Sequence, residues 1–361
     1  MAVTAQQGTF SFGPQTAKGS IATQFYQHRA VDIDLATISG DQLGPMEVGG
    51  VPTPTIPFRN GVTAAGGATI APRLENTMGW LLHGLCGAHS VTGDEDVLGN
   101  TVTGMYNHEF TFSTTNESYV PYMSFRKDIP GAAENGSEDL GETFEDCKII
   151  NAAFTLPNDG LVTSRVDVLG RGTGTNFESA PTWTYANTQM EEYNSIPIGS
   201  VTGGYFKIPD YSATELPIIG GSVVITNAPL AVAQEKIFGS PYMQDITIVS
   251  RRLAVDLIVK WEDPDLYRAV LTGSTTGTAW TTTPFVEDLD VFALAADDAI
   301  LTTPWGIRFQ APSVMYQIAG GVRLAGNQSV ALRVTGVALA STSDYFTVNL
   351  GNLTTTYTWP T

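Results

Sequence analysis

The stretch Lys148-Ile-Ile-Asn-Ala-Ala-Phe-Thr-Leu156, Pro157-Asn-Asp-Gly160, Leu161-Val-Thr-Ser-Arg-Val-Asp-Val-Leu169 decides how the whole chain reads. Its two arms carry alternating or β-branched runs, the pattern of half-buried strands, because successive side chains on a strand point to opposite faces. Between them, Asn158, Asp159 and Gly160 tolerate the positive φ that a tight reversal needs. The unit is an antiparallel hairpin. Similar runs recur at 30–38, 109–113 and 122–126 before it, and at 222–226, 245–249, 253–261, 290–294, 318–324, 329–339 and 345–350 after it.

Two stretches read as helix. In 72–85, Leu74, Met78, Leu81, Leu82 and Leu85 form one apolar stripe at helical spacing, with Glu75 in the first turn. Further on, Asp263 is an N-cap, Pro264 the first helical residue, Leu266, Ala269 and Val270 the stripe, and Gly273 the stop. Sliding the sequence by 168 residues lays Leu156 on Leu324, Val162 on Val330, Arg165 on Arg333 and Val166 on Val334. The helices do not obey that shift, so a diverged duplication and a chance likeness of two amphipathic hairpins both stay open. The expected fold is mainly β, in two similar β-sandwich halves, each with one short flanking α-helix. The first domain is expected over 1–170 with long loops, a Gly/Thr/Asn/Pro-rich linker or crossover over 171–216, and the second domain over 217–361.

Composition agrees. A chain of 361 residues is long enough for two domains at about 100–200 residues each. Charged residues make up 15%, well under the roughly 25% usual for soluble domains, while 37 Gly and 20 Pro mark a turn-rich chain. An apolar fraction of 42% with 10% aromatics excludes intrinsic disorder. With 18 basic and 36 acidic residues, the net charge of −18 repels phosphate and argues against nucleic-acid binding by counterion release. Cys86 and Cys147 form no C-x-x-C pair, and with four histidines they support neither a zinc site nor a disulfide framework. The start, Met1-Ala-Val-Thr-Ala, lacks a basic and an apolar signal region, and no run of 18 apolar residues occurs, so neither export nor membrane insertion is expected.

Reactive constellations are weak. Ser90, His89 and Asp94 are sequence neighbours without the convergence a nucleophile triad needs, and no G-x-S-x-G is present. Asp94-Glu95-Asp96 and the acidic run 134–146 lack the D-x-D-x-D-G spacing of a calcium loop. Asp32 and Asp34, like Asp245 and Thr247, read as the wet face of a sheet. His83, beside Cys86, reads as a satisfied half-buried histidine, and Trp80 and Trp261 as core. Two long excursions stand out, a Pro/Gly-rich one over 43–67 and an acidic one over 129–145. No catalytic, cofactor or metal residue is assigned, and no cofactor is expected; a structural role follows by elimination.

The residues carry a family likeness. Met46-Glu-Val-Gly-Gly50, Phe58-Arg-Asn-Gly61, Gly66-Gly67, Pro72-Arg-Leu74 and Gly79-Trp-Leu-Leu82 resemble the tail tube proteins (major tail proteins) of long-tailed bacteriophages. So do Cys147-Lys-Ile-Ile150, Phe154 to Val162, Val168-Leu-Gly-Arg171 and Val259-Lys-Trp-Glu-Asp-Pro-Asp-Leu-Tyr-Arg-Ala-Val270. These motifs are structural punctuation, and their order over about residues 9–337 carries the likeness. The resemblance implies a β-sandwich whose inner sheet joins those of neighbouring subunits into a closed barrel, with rings stacking into a hollow conduit for double-stranded DNA. It implies a homo-oligomer: trimers with pseudo-sixfold symmetry for two-domain members, hexamers for single-domain ones. It further implies tape measure, tail terminator and distal tail proteins as partners, and a place in the virion tail after assembly in the host cytoplasm.

Within that reading, Leu43, Met46, Glu47, Val48, Phe58, Ile129, Glu138, Asp139 and Glu142 are the candidates for ring stacking. Asp32, Asp34, Asp245 and Asp256 are the candidates for an acidic lumen wall past which DNA slides without specific contacts. Period-2 logic leaves open which sheet face lines the lumen. The rival readings are another virion assembly component, such as a decoration or baseplate protein, and a calcium-dependent surface or carbohydrate-binding β module. A hydrolase is the least expected.

Overall fold

The 148–169 hairpin is the hub of the molecule. In the computed structural model, which describes residues 8–44, 50, 53, 56–74, 77–112, 119–131, 138–158, 160–173, 176–186, 197–198, 204–208, 215–262, 264–294, 306–320, 322, 330–340 and 345–360, its first arm is an 18-residue strand and four other strands share that strand's two edges. In chain order the strands of the first half are β1 (Thr9–Pro14), β2 (Tyr26–His28), β3 (Ala30–Ile33), β4 (Ala36–Leu43), β5 (Pro57–Ile70), β6 (Gly87–Glu95), β7 (Thr101–Phe112), β8 (Met123–Ile129), β9 (Leu140–Pro157), β10 (Gly160–Leu161), β11 (Thr163–Gly170) and β12 (Asn176–Ser179). There follow β13 (Pro197–Ile198), β14 (Tyr205–Lys207), β15 (Ile218–Pro229), β16 (Ile248–Lys260), β17 (Phe285–Leu294), β18 (Gly306–Ile318), β19 (Ala331–Ala338) and β20 (Thr347–Asn352). Helix α1 (Met78–Cys86) follows β5 and α2 (Asp265–Thr272) follows β16. The chain is mainly β, and 18 of these strands share one large antiparallel sheet.

Two runs of strands have the same order. The first is β4–β5–β11–β9–β8–β1, antiparallel throughout. The second, β15–β16–β19–β18–β17–β14, is antiparallel throughout as well. Registers agree in detail: Ser164 faces Ile70 in the first run, and Leu332 faces Val259 in the second. Irregularities agree along β5 and β16, whereas β11–β9 shifts between Asp167 and Val168 and β18–β19 has no such shift. The β3–β5 ladder shifts between Ala30 and Asp32 and the β4–β5 ladder between Ser39 and Asp41, while β15–β16 shifts between Ile218 and Gly220 and between Ala228 and Pro229. The first run adds the β6–β7 hairpin after its helix.

The two runs are hydrogen-bonded to each other. β15 lies antiparallel on β9 from Gly220 opposite Pro157 to Thr226 opposite Asn151, and β20 pairs with both β18 and β7. One apolar core draws on both, with Phe12, Leu82 and Phe154 from the first half and Val223, Leu257 and Phe309 from the second. The Phe154 and Phe309 rings meet at 4.9 Å between centroids. Each such fully buried side chain contributes about 1.5–3 kcal/mol relative to exposure.

Several expectations need correction. Helix α1 starts at Met78, not at 72, and every one of its residues is buried rather than a single stripe. The other face is covered by residues 353–359: Tyr357 and Trp359 lie edge-on to the Trp80 ring, and Gly79 leaves room for Tyr357 where a Cβ would come within 2.2 Å of its ring. Helix α2 matches its reading at Gly273, a left-handed cap whose N–H bonds Ala269 O, but Pro264 is the capping residue rather than the first helical one. Asp263, Glu75 and Leu324 lie outside the described residues. Of the expected run 245–249 only 248–249 is strand, because Asp245 turns its carboxylate onto the Ile246 N–H at 2.6 Å. Of the described residues in 318–324, only Ile318 belongs to a strand. Both excursions are shorter than expected, since β4 runs on to Leu43, β5 begins at Pro57 and β9 begins at Leu140.

Candidate functional site

The acids expected on the lumen wall are each held by a cation. Asp34 on the β3–β4 corner accepts from Arg165 Nη2 and from the Gly67 N–H, both at 2.7 Å, and Asp32 lies 3.9 Å from Arg165 Nη1. Arg165, on β11, also donates from Nε to Asp167 at 2.7 Å. Desolvation pushes the Asp34 carboxyl up, but its bonds to Arg165 and Gly67 and the nearby guanidinium charge outweigh it and leave the pKa below the ordinary value. On β16, Asp256 is clamped by both arms of the Arg333 fork, Nε lying 2.8 Å from Oδ1, and that bonding lowers its pKa. Arg165 and Arg333 are a pair that the 168-residue shift superimposed, and each holds strand carboxylates.

Asp245 sits in a different setting, between β15 and β16. It accepts from the Tyr122 hydroxyl and lies 3.6 Å from Lys18 Nζ and 3.8 Å from Lys148 Nζ. Partial burial raises its pKa, and these partners together bring it below normal. Lys148, itself buried, donates to Ile246 O at 2.8 Å; desolvation lowers its pKa despite Asp245. These four acids are therefore members of ion pairs that tie strands together, and the field they present is partly neutralised.

The stacking candidates cluster at two hairpin ends. Leu43 and Phe58 close the far end of β4–β5, where Gln42 faces Phe58, Leu43 faces Pro57 and the Gly44 N–H bonds Ile56 O at 2.7 Å. Leu43 is 65% exposed, Ile56 66% and Phe58 46%, an apolar tip on a long two-stranded arm. Met46, Glu47 and Val48 lie outside the described residues. At the other end, Ile129 faces Leu140 and is exposed, Glu138 is exposed, and Asp139 ties the connection by accepting from the Gly131 N–H at 2.7 Å. Glu142 is not part of a loop: it stands in β9 opposite Lys127 and pairs with it at 2.8 Å, with both side chains largely covered.

Three histidines, His83, His89 and His108, form one cluster, of which the sequence singled out only His83 and His89. His89 on β6 and His108 on β7 share a hydrogen bond of 3.0 Å between Nε2 and Nδ1, and His108 Nε2 reaches Thr354 O at 2.8 Å. His83 Nδ1 bonds Tyr357 O at 2.7 Å. Ser90 stands next to His89 on a strand, on the opposite face, so the Ser90–His89–Asp94 set does not converge. Among the described residues no group of three or more His, Cys, Asp or Glu side chains could hold a metal ion. Cys86 and Cys147 are buried thiols whose pKa values are raised by desolvation. A cavity of about 260 Å³ lies where β9, β14 and β17 meet, lined by Leu156, Phe206, Leu216, Val291 and Phe292, with one carboxylate, Glu215.

The arrangement thus offers sheet edges, apolar hairpin tips and strand-to-strand ion pairs. No helix among the described residues is long and apolar enough to cross a membrane. No family model matches the chain, and no curated protein matches it in sequence.

Proposed function

We propose that this chain is a structural, non-enzymatic subunit of a phage tail tube, polymerising as stacked rings into a hollow, negatively lined conduit for double-stranded DNA. The observation that carries the reading is the pair of strand runs with one order, and with ladder shifts at corresponding places along β5 and β16, joined by β15 lying on β9. In this reading the runs are two copies of one sandwich-like unit, each with its flanking helix. Their inner sheets continue into those of neighbouring subunits and close a barrel, which removes exposed sheet edges. Three such chains supply six units, so a trimeric ring with pseudo-sixfold symmetry is favoured over a hexamer. The net charge of −18 keeps phosphate from adhering to the bore. Since Asp32, Asp34, Asp245 and Asp256 are engaged with cations, the wall draws on the whole charge of the chain as well as on them. The subunit is assembled in the host cytoplasm and resides in the virion tail, with tape measure, tail terminator and distal tail proteins as partners.

Electron microscopy of the purified chain after prolonged incubation tests this. Indefinite tubes whose end-on views show a ring with three major and six minor lobes are expected. Finite closed particles favour a decoration or baseplate role, and a persistent monomer rejects assembly altogether.

A further inference from the structure

The junction inside the chain specifies a junction between chains. Where β15 meets β9, Val224 faces Ala153, Ile225 faces Ala152 and Thr226 faces Asn151, with a 3.1 Å hydrogen bond from Thr226 Oγ1 to Asn151 Oδ1. In the shared order of the two runs, β4 stands where β15 stands, and β18 stands where β9 stands. Matching registers places Ala36, Thr37 and Ile38 at the positions of Val224, Ile225 and Thr226, and Gln317, Ile318 and Ala319 at those of Asn151, Ala152 and Ala153.

Both of these equivalent edges are unpaired among the described residues. β4 pairs with β5 alone. β17 stops facing β18 at Phe285 opposite Tyr316, so from Gln317 onward that side of β18 has no strand, while its other side holds β19 and the Ala319 N–H bonds Arg333 O at 2.9 Å. Ile38, Gln317 and Ala319 are exposed. Neither Ala36-Thr37-Ile38 nor Gln317-Ile318-Ala319 contains a proline or a charge, the devices that protect an edge meant to stay single. β17 leaves off at Phe285, opposite Tyr316, one residue before the segment that the equivalent junction would cover.

We infer that Ala36–Thr37–Ile38 of one copy adds antiparallel to Gln317–Ile318–Ala319 of the next, with Ala36 opposite Ala319, Thr37 opposite Ile318 and Ile38 opposite Gln317. The partner is a second copy of this chain. The inference rests on the proposed ring, but fixes which edges meet and in which register.

Disulfide trapping tests it in the full-length chain. Opposed Cβ atoms on antiparallel strands are about 4.5–5.5 Å apart, close enough for a disulfide after slight adjustment. Cys86 and Cys147 are buried and do not compete. Chains carrying Ile38→Cys and chains carrying Gln317→Cys are mixed at equal concentration and oxidised. The expected result is a mixed covalent dimer at least tenfold more abundant than in either variant alone, and amide hydrogen exchange of the unmodified oligomer slowed at 36–38 and 317–319 relative to monomer. Rings without the mixed dimer and without that protection overturn the register while leaving the tube reading intact. A dimer from the Ile38→Cys chain alone overturns it in favour of β4 pairing with itself. Absence of any oligomer, in wild type and variants alike, overturns both.

Discussion

Arg165 and Arg333 show what a guanidinium on a strand ladder does at the level of one side chain: Arg165 on β11 binds Asp167 of its own strand and Asp34 at the β3–β4 corner, and Arg333 on β19 binds Asp256 of the adjacent β16. A more buried version of the same device is Asp146, whose side chain is 1% exposed and accepts from the Gly19 N–H at 2.7 Å, from Arg171 Nη1 at 2.5 Å and from Thr173 Oγ1 at 3.2 Å. Removing its cation leaves a charge in a covered site. Arg171→Ala is expected to cost about 3–5 kcal/mol, the usual loss when one member of a covered ion pair is deleted, read as a lower urea midpoint with unchanged slope. A loss below about 1 kcal/mol would mean that water reaches Asp146 after all.

The histidines set the acid limit of stability. Burial, aided by the Arg73 charge, lowers the His28 pKa from its ordinary 6.5 to about 3, and burial with the neighbouring His108 and His83 lowers His89 to about 3 as well. Burial also lowers His83 and His108. Between pH 6.5 and about 3 the unfolded chain therefore binds protons that the folded chain refuses, so stability is complete above 6.5 and falls as the pH drops through that window. His28→Leu, at a site packed beside Phe12, is expected to remove about one proton's share of this slope in denaturation midpoints taken from pH 7 to pH 4. An unchanged slope would show that His28 is protonated in the fold.

At the scale of elements, the β4–β5 arm stays paired to its tip beyond the shift between Ser39 and Asp41, with Asp41 and Arg59 pairing at 2.8 Å near the end. Its core contacts lie at the base, around Ala64, Ala68 and Ile70. Replacing 44–56 by an Asn-Gly turn should therefore leave the monomer's stability within about 0.5 kcal/mol, since shortening a surface connection changes closure entropy only slightly. In the tube reading the same variant gives single rings that fail to stack; tubes of normal length would remove the tip from the contact. Elements whose signals are local were legible in the sequence. The hairpin at 148–169, the Gly273 stop and the helical spacing of Met78, Leu81, Leu82 and Leu85 all depend on neighbours within a dozen positions. Full burial of α1 was not legible, because its cover arrives with Tyr357, bonded to His83 across 274 positions. Nor was the loss of strand at 245–247, where the partners of Asp245 are Lys18, Tyr122 and Lys148.

For the whole molecule, the shift of 168 residues lays β11 on β19, which hold the same place in their two runs, and brings no other pair of the two runs into register. What joins the runs, β15 on β9 and β20 on β7, is a pairing between distant segments that no window of sequence reveals. The candidate site was legible only as residue types: the acids were found, but their cation partners lie across strands, and the open edges at 36–38 and 317–319 become visible only when the two ladders are compared.

The covering of α1 by residues 353–359 has a consequence for how the protein is made. As a ribosome extends the chain, α1 emerges well before the residues that complete its surroundings: Asn227 and Arg251 bond the carbonyls of its last turn, and Tyr357 and Trp359 cover Trp80 and His83 last. A product cut short before residue 353 would leave the indole of Trp80 and the imidazole of His83 open to water, chaperones and proteases.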